Sequence, residues 1–220
     1  MVKANATSLD GNLLISYEKV QLIDSKGKAV RADSLKKETN YVFNYPYKST
    51  PVILLNLEQP TPNRVELSTD TGEKYIWKGG VGKEKSVVAY SAICSHQLAH
   101  PTPDATFLQY VDKNTKTAAS EKSGVIVCSS HLSAFDASRG CKNIIGPADN
   151  PLASVILEED KDGNLWAVGV LGKDMFHDYF KEFKHELSKY YGGKRKGKKH
   201  VFEVAEVTLL EEFSKEMIQY

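Results

Sequence analysis

Four side chains with metal-binding chemistry stand in two short boxes of this sequence. The first box supplies Cys94 and His96, and the second supplies Cys128 and His131. Thiolates and imidazoles bind transition metals, and both also ligate iron–sulfur clusters. Structural zinc sites usually draw their ligands from close CxxC or HxxxH pairs, so a Cys-x-His pair with a distant Cys-x-x-His pair is an unusual zinc spacing. Zinc, a mixed-ligand iron–sulfur cluster and no joint role are the three alternatives.

A mixed-ligand [2Fe–2S] cluster explains why each box carries one cysteine and one histidine. In such a centre two cysteines bind one iron and two histidines bind the other. Neutral imidazoles remove negative charge from the cluster, so an electron is added more easily than to a cluster with four cysteines. The chemistry of the boxes therefore favours a cluster over zinc.

The two boxes resemble those of Rieske iron–sulfur proteins, whose typical pattern is Cys-Thr-His-Leu-Gly-Cys and Cys-Pro-Cys-His-Gly-Ser. The resemblance extends over roughly residues 86–172 and includes Asp136 and a Gly146-Pro147-Ala148 loop. It implies one [2Fe–2S] cluster with a Gly-Pro-Ala loop covering it. The implied metal ligands are Cys94, His96, Cys128 and His131, and the implied cluster surroundings are Leu98, Leu132, Ser133, Phe135, Gly146 and Pro147.

Several positions depart from the family pattern. Members from cytochrome bc complexes join the two boxes by a disulfide, but Ala99 and Ser130 stand at those positions, so the disulfide cannot form. Cys141 is then expected to be a free thiol. The boxes are also further apart than is usual in that type, with the excess in residues 100–123. We expect an inserted loop or hairpin there, beside the cluster, as a candidate for partner recognition.

Two positions bear on the reduction potential that the resemblance implies. Ser133 matches a serine whose hydroxyl donates to the cluster in high-potential relatives, whereas Phe135 replaces a tyrosine that supplies a second hydroxyl. Hydrogen bonds to the cluster stabilise its reduced state. We therefore predict a potential below that of quinol-oxidising members, in the upper middle of the Rieske range of about −150 to +300 mV.

The implied function is one-electron transfer. The first hypothesis is a redox subunit or carrier in a respiratory-type chain, with a quinol or cytochrome partner. The alternatives are a Rieske ferredoxin or small subunit feeding an oxygenase or a molybdenum oxidoreductase, and a zinc-stabilised binding module. The sequence has no convincing nucleophile and base set and no nucleotide-binding glycine motif, so no independent catalytic site is predicted.

Composition limits the remaining classes of partner. The 220 residues carry a net charge of +1, which gives no field that favours nucleic acid. No apolar run of membrane-spanning length occurs and Met1 to Gly11 has no apolar signal core, so membrane association would need an anchor absent from this chain. Because quinol-side Rieske proteins work outside the cytoplasm, we expect an extracytoplasmic location, with a cytoplasmic one as the alternative.

The elements that position the boxes are predicted to be mainly strands. Apolar, β-branched and aromatic runs between turn residues predict strands at residues 13–22, 41–47, 51–57, 65–67, 74–78, 86–93, 106–111, 124–127, 151–157, 165–171 and 201–210. Residues 112–123 are predicted to form an exposed loop. Both boxes thus follow strands, where loops can converge on a metal. The turn at Asp162-Gly163 predicts the clearest hairpin.

The C-terminal part of the sequence is predicted to contain helices, unlike the part before it. Aromatic and leucine residues at helical spacing predict a helix over 174–191 with Asp174 as its cap, followed by a flexible basic loop at 192–199 and a short helix at 211–218. The order of elements indicates a mainly β, antiparallel sandwich-type fold with one or two C-terminal helices. We expect a single domain over residues 1–220, with a cluster-binding subdomain (90–152) inserted into a β base (12–89 and 153–210).

Overall fold

The computed structural model describes residues 13–219, so the interpretation of Met1 to Gly11 lies outside the described part. Strands dominate, which confirms the mainly β prediction. They are β1 (Leu14–Ile23), β2 (Tyr41–Asn44), β3 (Pro51–Asn56), β4 (Val65–Ser68), β5 (Lys74–Trp77), β6 (Val87–Ser91), β7 (Ala105–Thr106), β8 (Leu108–Val111), β9 (Val125–Cys128), β10 (Ser133–Asp136), β11 (Lys142–Ile145), β12 (Ser154–Glu159), β13 (Leu165–Leu171), β14 (Val204–Glu206), β15 (Thr208–Leu209) and β16 (Glu216–Met217). The helices are α1 (Phe176–Glu182), α2 (Lys184–Tyr191), α3 (Lys194–Gly197) and α4 (Leu210–Phe213).

Eight strands form the large sheet, in the order β14-β1-β13-β12-β6-β3-β2-β15. All neighbouring pairs are antiparallel except β1 with β14. The two outer strands, β14 and β15, are separated by one residue, Val207, and pair with β1 and β2 respectively. Residues 204–209 therefore pair with both β1 and β2. Neither of these strands is left as an unpaired edge that could pair with another chain.

Strand β3 shows why the sheet is buried on both faces. Its residues 51–55 are a continuous apolar run, which is typical of a strand covered on both sides. Val52 and Leu54 point into a core shared with the C-terminal helices. Ile53 and Leu55 point into a second core, shared with the hairpin of β4 and β5 and with the ligand boxes. Two cores thus meet at this strand.

A separate four-stranded sheet, in the order β11-β10-β9-β8, carries the second box. Its antiparallel pairs are local: Val111 pairs with Val125, and Phe135 pairs with Ile126. Asn40 joins this sheet to the large one, since its side chain accepts from the amide of Tyr110 at 2.7 Å and donates to the carbonyl of Tyr110 at 2.8 Å. The subdomain boundaries stay a prediction.

The tail differs from the sequence-based prediction. The helix expected over 174–191 is two helices, because Phe183 leaves helical geometry (φ −94°, ψ 37°). Its ring stacks on Tyr179 and meets His100 edge-on. Asp174 does cap the first turn, accepting from the amide of Phe176 at 3.0 Å. The structure thus has more C-terminal helices than the one or two expected.

The last segments were also predicted incompletely. The basic stretch 192–199 contains helix α3 instead of being loop throughout, because Gly193 (φ 109°) lets the chain turn directly from α2 into a new helical turn. The strand expected over 201–210 is two short strands. The helix expected over 211–218 is wrong beyond Phe213, because residues 216–217 pair as β16 with the distant strand β7. Within residues 13–219, every helix is too short or too polar to span a membrane.

Candidate metal centre

The first box is a tight loop that follows strand β6. The amide of Cys94 donates to the carbonyl of Ala99, and the amide of Leu98 donates to the carbonyl of Cys94, both at 2.9 Å. Leu98 adopts a positive φ of 60°, which turns the chain back on itself. The loop therefore holds Cys94 buried and His96 half-buried on one short, closed segment.

The second box is the turn of the hairpin formed by β9 and β10. Cys128 pairs with Ser133, so residues 129–132 make the turn, and Leu132 has a positive φ of 57°. The amide of Ser129 donates to the carbonyl of Phe107 at 2.7 Å, which ties the turn to the residue just before β8. Cys128 is thus the last residue of a buried strand and His131 an exposed residue of the turn.

The structure brings the two cysteines together. Each is only 1% exposed, and their thiols hydrogen-bond to each other. This hydrogen bond, together with burial, raises the pKa of Cys94, and the same hydrogen bond lowers the pKa of Cys128. Burial of two adjacent thiolates is unfavourable without a cation, so a positively charged metal centre would suit this pair.

Backbone amides surround both sulfur atoms. The amides of His96 and Gln97 donate to the sulfur of Cys94, and those of Ser130 and His131 donate to the sulfur of Cys128. Amide donors stabilise negative charge on sulfur, which a metal-bound thiolate carries. These donors come from the loop residues of each box, so the backbone conformation builds the thiolate environment.

The two histidines also meet. The ring centroids of His96 and His131 lie 4.8 Å apart, at an interplanar angle of 85°. Nδ1 of His96 is buried and has no hydrogen-bond partner in the described structure. Buried polar atoms without partners are rare, and an unprotonated ring nitrogen is an available metal ligand. Nδ1 of His131 lies 3.2 Å from the hydroxyl of Ser130.

The donor set fits a two-iron cluster better than a single ion. Among residues 13–219, no three histidine, cysteine or acidic side chains converge as ligands of one ion. A structural zinc ion needs four ligands around one point. A pair of cysteines and a separate pair of histidines instead match a cluster in which each iron takes one pair.

The predicted surroundings are only partly brought to the boxes. Ser133 is fully buried beside Cys128, and its hydroxyl accepts from the amide of Ala148 at 3.2 Å. Phe135 packs in the core that contains both cysteines. The side chain of Leu98, in contrast, packs in the core shared with the C-terminal helices. Leu132 is 39% exposed at the tip of the second box.

The Gly146-Pro147-Ala148 loop crosses the second box closely. A Cβ atom at Gly146 would lie 2.5 Å from both the carbonyl oxygen of Leu132 and the Cα of Ser133, and φ is +89°. Only glycine fits this approach without a shift of the backbone. Pro147 is exposed. The loop therefore covers the turn of the second box.

Some residues of the site carried no signal in the sequence. Ser95 donates to the carbonyl of Asn150 at 2.8 Å and so ties the first box to the segment after the covering loop. Lys122, in the expected insertion, forms an ion pair with the mostly buried Asp136, and residues 112–123 have no regular structure. Cys141 is a buried free thiol, and burial raises its pKa. Such contacts depend on distant partners, which spacing within a motif does not specify.

Part of this chain is similar to known proteins. The family model of the Rieske [2Fe-2S] domain matches residues 56–156. The iodate reductase subunit IdrB of Pseudomonas sp. (strain SCT) is 30% identical over 130 residues, which are 59% of this chain and 52% of that protein. The match thus spans about half the length of this curated relative.

One solved structure that matches part of this chain is the soluble domain of the Rieske protein II (soxF) from Sulfolobus acidocaldarius. Its TM-score is 0.48 at 24% identity, and the alignment covers 70% of this chain and 78% of that chain.

Proposed function

We propose that the Rieske [2Fe–2S] domain that this chain contains holds its one cluster through Cys94, His96, Cys128 and His131. The domain binds one [2Fe–2S] cluster with two cysteine and two histidine ligands, and its function is Rieske-type electron transfer. The observation that carries the assignment of the ligands is the pairing of the two thiols and of the two rings. The partnerless, buried Nδ1 of His96 supports it further.

When bound, the cluster takes up and releases one electron. The residues of the chain give it an asymmetric environment. The cysteine side is buried and rich in amide donors, so it excludes water and stabilises negative charge. The histidine side is more open, because His131 is exposed. The short path between the cluster and a partner therefore runs through the histidine side.

Apolar side chains near this exposed histidine suit contact with another protein. Leu132 is adjacent to His131, and Ile144 and Ile145 of the neighbouring strand β11 are 36% and 45% exposed. Ile145 pairs with Ala134 on β10, two residues beyond Leu132. Exposed apolar side chains grouped in this way mark interaction surfaces.

The partner of this surface, in our proposal, is a larger oxidoreductase, of which this chain is the electron-transfer subunit. One consideration supports it. The curated relative is a subunit of an iodate reductase. A cytochrome or quinol partner in a respiratory-type chain stays a prediction, as does an extracytoplasmic location.

The ligand assignment is tested by electron paramagnetic resonance of the reduced protein, with iron and zinc content measured on the same sample. Cys94→Ser and His96→Asn are expected to abolish the signal and the bound iron. Cys141→Ala and His185→Asn are matched controls, because Cys141 lies outside both ligand boxes and His185 is exposed on α2. A full signal in Cys94→Ser, or stoichiometric zinc without iron, would refute the assignment.

The subunit proposal needs a separate experiment. The tagged chain is isolated from its native cells under non-denaturing conditions, and its mass in solution is measured. We expect elution with a larger redox protein, well above the 24.5 kDa of this chain alone. Replacing Ile144 and Ile145 by serine is expected to weaken this association while the cluster signal is retained. Elution of the unaltered chain alone at its monomer mass would indicate a free carrier instead.

A further inference from the structure

We propose that His100 is a positioning residue that fixes the first ligand box against the C-terminal helices. This inference rests on the ligand assignment proposed above. His100 is only 7% exposed, and both of its ring nitrogens have partners. Nδ1 lies 2.7 Å from the carbonyl oxygen of Leu98, and Nε2 lies 3.0 Å from Oε2 of Glu186 on helix α2.

Both ring nitrogens of His100 face hydrogen-bond acceptors. A peptide carbonyl and a carboxylate both accept hydrogen bonds, whereas a neutral imidazole has a single N–H group. Nε2 of His100 and Oε2 of Glu186 lie within hydrogen-bond distance at 3.0 Å, so the two residues link the segment after the first box to helix α2.

Aromatic rings fix the plane of the imidazole. Tyr179 of α1 meets the ring of His100 edge-on, with centroids 4.8 Å apart. Phe183, at the junction of the two helices, does so at 4.7 Å. The helix is interrupted at Phe183, and the ring of this residue packs against His100. A ring held on two edges and at both nitrogens has one orientation.

The carbonyl that His100 holds belongs to the turn that shapes the first box. The amide of the same residue, Leu98, donates to the carbonyl of Cys94, and its φ is positive. The peptide after Leu98 therefore cannot rotate without disturbing the loop between Cys94 and Ala99, which carries His96. Ala99 occupies the position where related proteins anchor this loop by a disulfide. Here the anchor is one residue further along and runs to a helix instead of to the second box.

A second set of contacts reinforces the same attachment. Asp104 accepts from Lys189 at 2.6 Å and from Tyr190 at 2.5 Å, both on α2, and from Lys215 at 3.1 Å. These hydrogen bonds hold the pKa of Asp104 below its usual range. Glu186 and Lys189 are three residues apart on one helix face. Helix α2 therefore holds the segment after the first box at two points.

The test compares His100→Asn, Glu186→Gln and the double variant with the unaltered holoprotein. His185→Asn is the matched control, since His185 lies next to Glu186 but is exposed. The readouts are the rate at which an iron chelator removes the cluster and the line shape of the reduced cluster in electron paramagnetic resonance. We expect each single variant to release iron at least about tenfold faster, with a broadened signal, and the control to match the unaltered protein.

The double variant separates positioning from general loss of stability. If His100 and Glu186 act as one unit, the double variant is expected to release iron no more than about twofold faster than either single variant. Glu186 is one-third exposed, so Glu186→Gln gives a folded variant even where His100→Asn does not. Unchanged line shape and release rate in Glu186→Gln would overturn the inference, as would fully multiplicative effects in the double variant. An unaltered protein without any iron signal would instead refute the ligand assignment.

Discussion

The hydroxyl of Ser133 offers the sharpest test of how this protein sets its reduction potential. Ser133 is fully buried at the start of β10, directly opposite Cys128. Its oxygen accepts from the amide of Ala148, and within residues 13–219 its own hydrogen has no protein acceptor. The hydroxyl can therefore donate towards the sulfur side of the proposed cluster. Ser133→Ala removes this donor and changes little else in volume.

The size of the expected shift in reduction potential follows from the negative charge to which the hydroxyl of Ser133 donates. A hydrogen bond to a charged group contributes about 1.5–3 kcal/mol. The hydroxyl donates to the cluster in both the oxidised and the reduced state, and only the difference between the two hydrogen-bond free energies changes the potential. We take this difference as about 1–2 kcal/mol. For a one-electron couple, 59 mV corresponds to a tenfold change in the equilibrium constant, so the potential is expected to fall by about 40–90 mV.

The assay is a redox titration of the purified holoprotein, monitored by the signal of the reduced cluster. Ser95→Ala is the matched control, because the hydroxyl of Ser95 donates to the carbonyl of Asn150 at 2.8 Å and has no hydrogen left for the cluster. Iron content is measured alongside, since Ser133→Ala also leaves the amide of Ala148 without its acceptor. A shift below about 20 mV, or an equal shift in the control, would refute this reasoning.

Three further predictions concern the covering loop, the core and acid stability. Gly146→Ala is expected to lose most of the bound iron, because its Cβ would overlap the second box, whereas Gly72→Ala, also at positive φ but with open space, should keep it. Tyr90→Phe should lower the free energy of unfolding in urea by about 1–3 kcal/mol, because the buried carbonyl of Ala137 loses its donor at 2.6 Å, with no change in the cluster signal. Hydrogen bonds, chiefly from the Trp166 indole, lower the pKa of Asp160 from 3.8 to about 2. A lowered pKa in the folded state stabilises the protein above pH 3.8, and this contribution is lost as pH falls towards 2. The melting temperature of Asp160→Asn should therefore fall less between pH 3.8 and 2 than that of the unaltered protein. The same fall in both proteins would contradict this prediction.

Residue types and their spacing along the chain were sufficient to predict the two ligand boxes and the hairpin of β12 and β13. Two Cys and two His at characteristic spacings, followed by Ser133 and the Gly146 loop, predicted a Rieske cluster, and the family match agrees. The hairpin of β12 and β13 followed from its Asp-Gly turn and alternating strands, and the structure confirms it. Such features were predictable because each box and each hairpin is formed by residues of one short stretch of the chain.

Only the tertiary structure decided how the two boxes are supported. The link from His100 to Glu186 spans 86 residues, and the strand pair of β7 and β16 joins segments more than one hundred residues apart. Closure of the large sheet by residues 204–209 and the break of the helix at Phe183 likewise depend on distant contacts. Side-chain periodicity reports which face of an element is buried but not which element buries it. The proposed cluster ligands could therefore be predicted from the sequence, whereas the residues proposed to orient them required the tertiary structure.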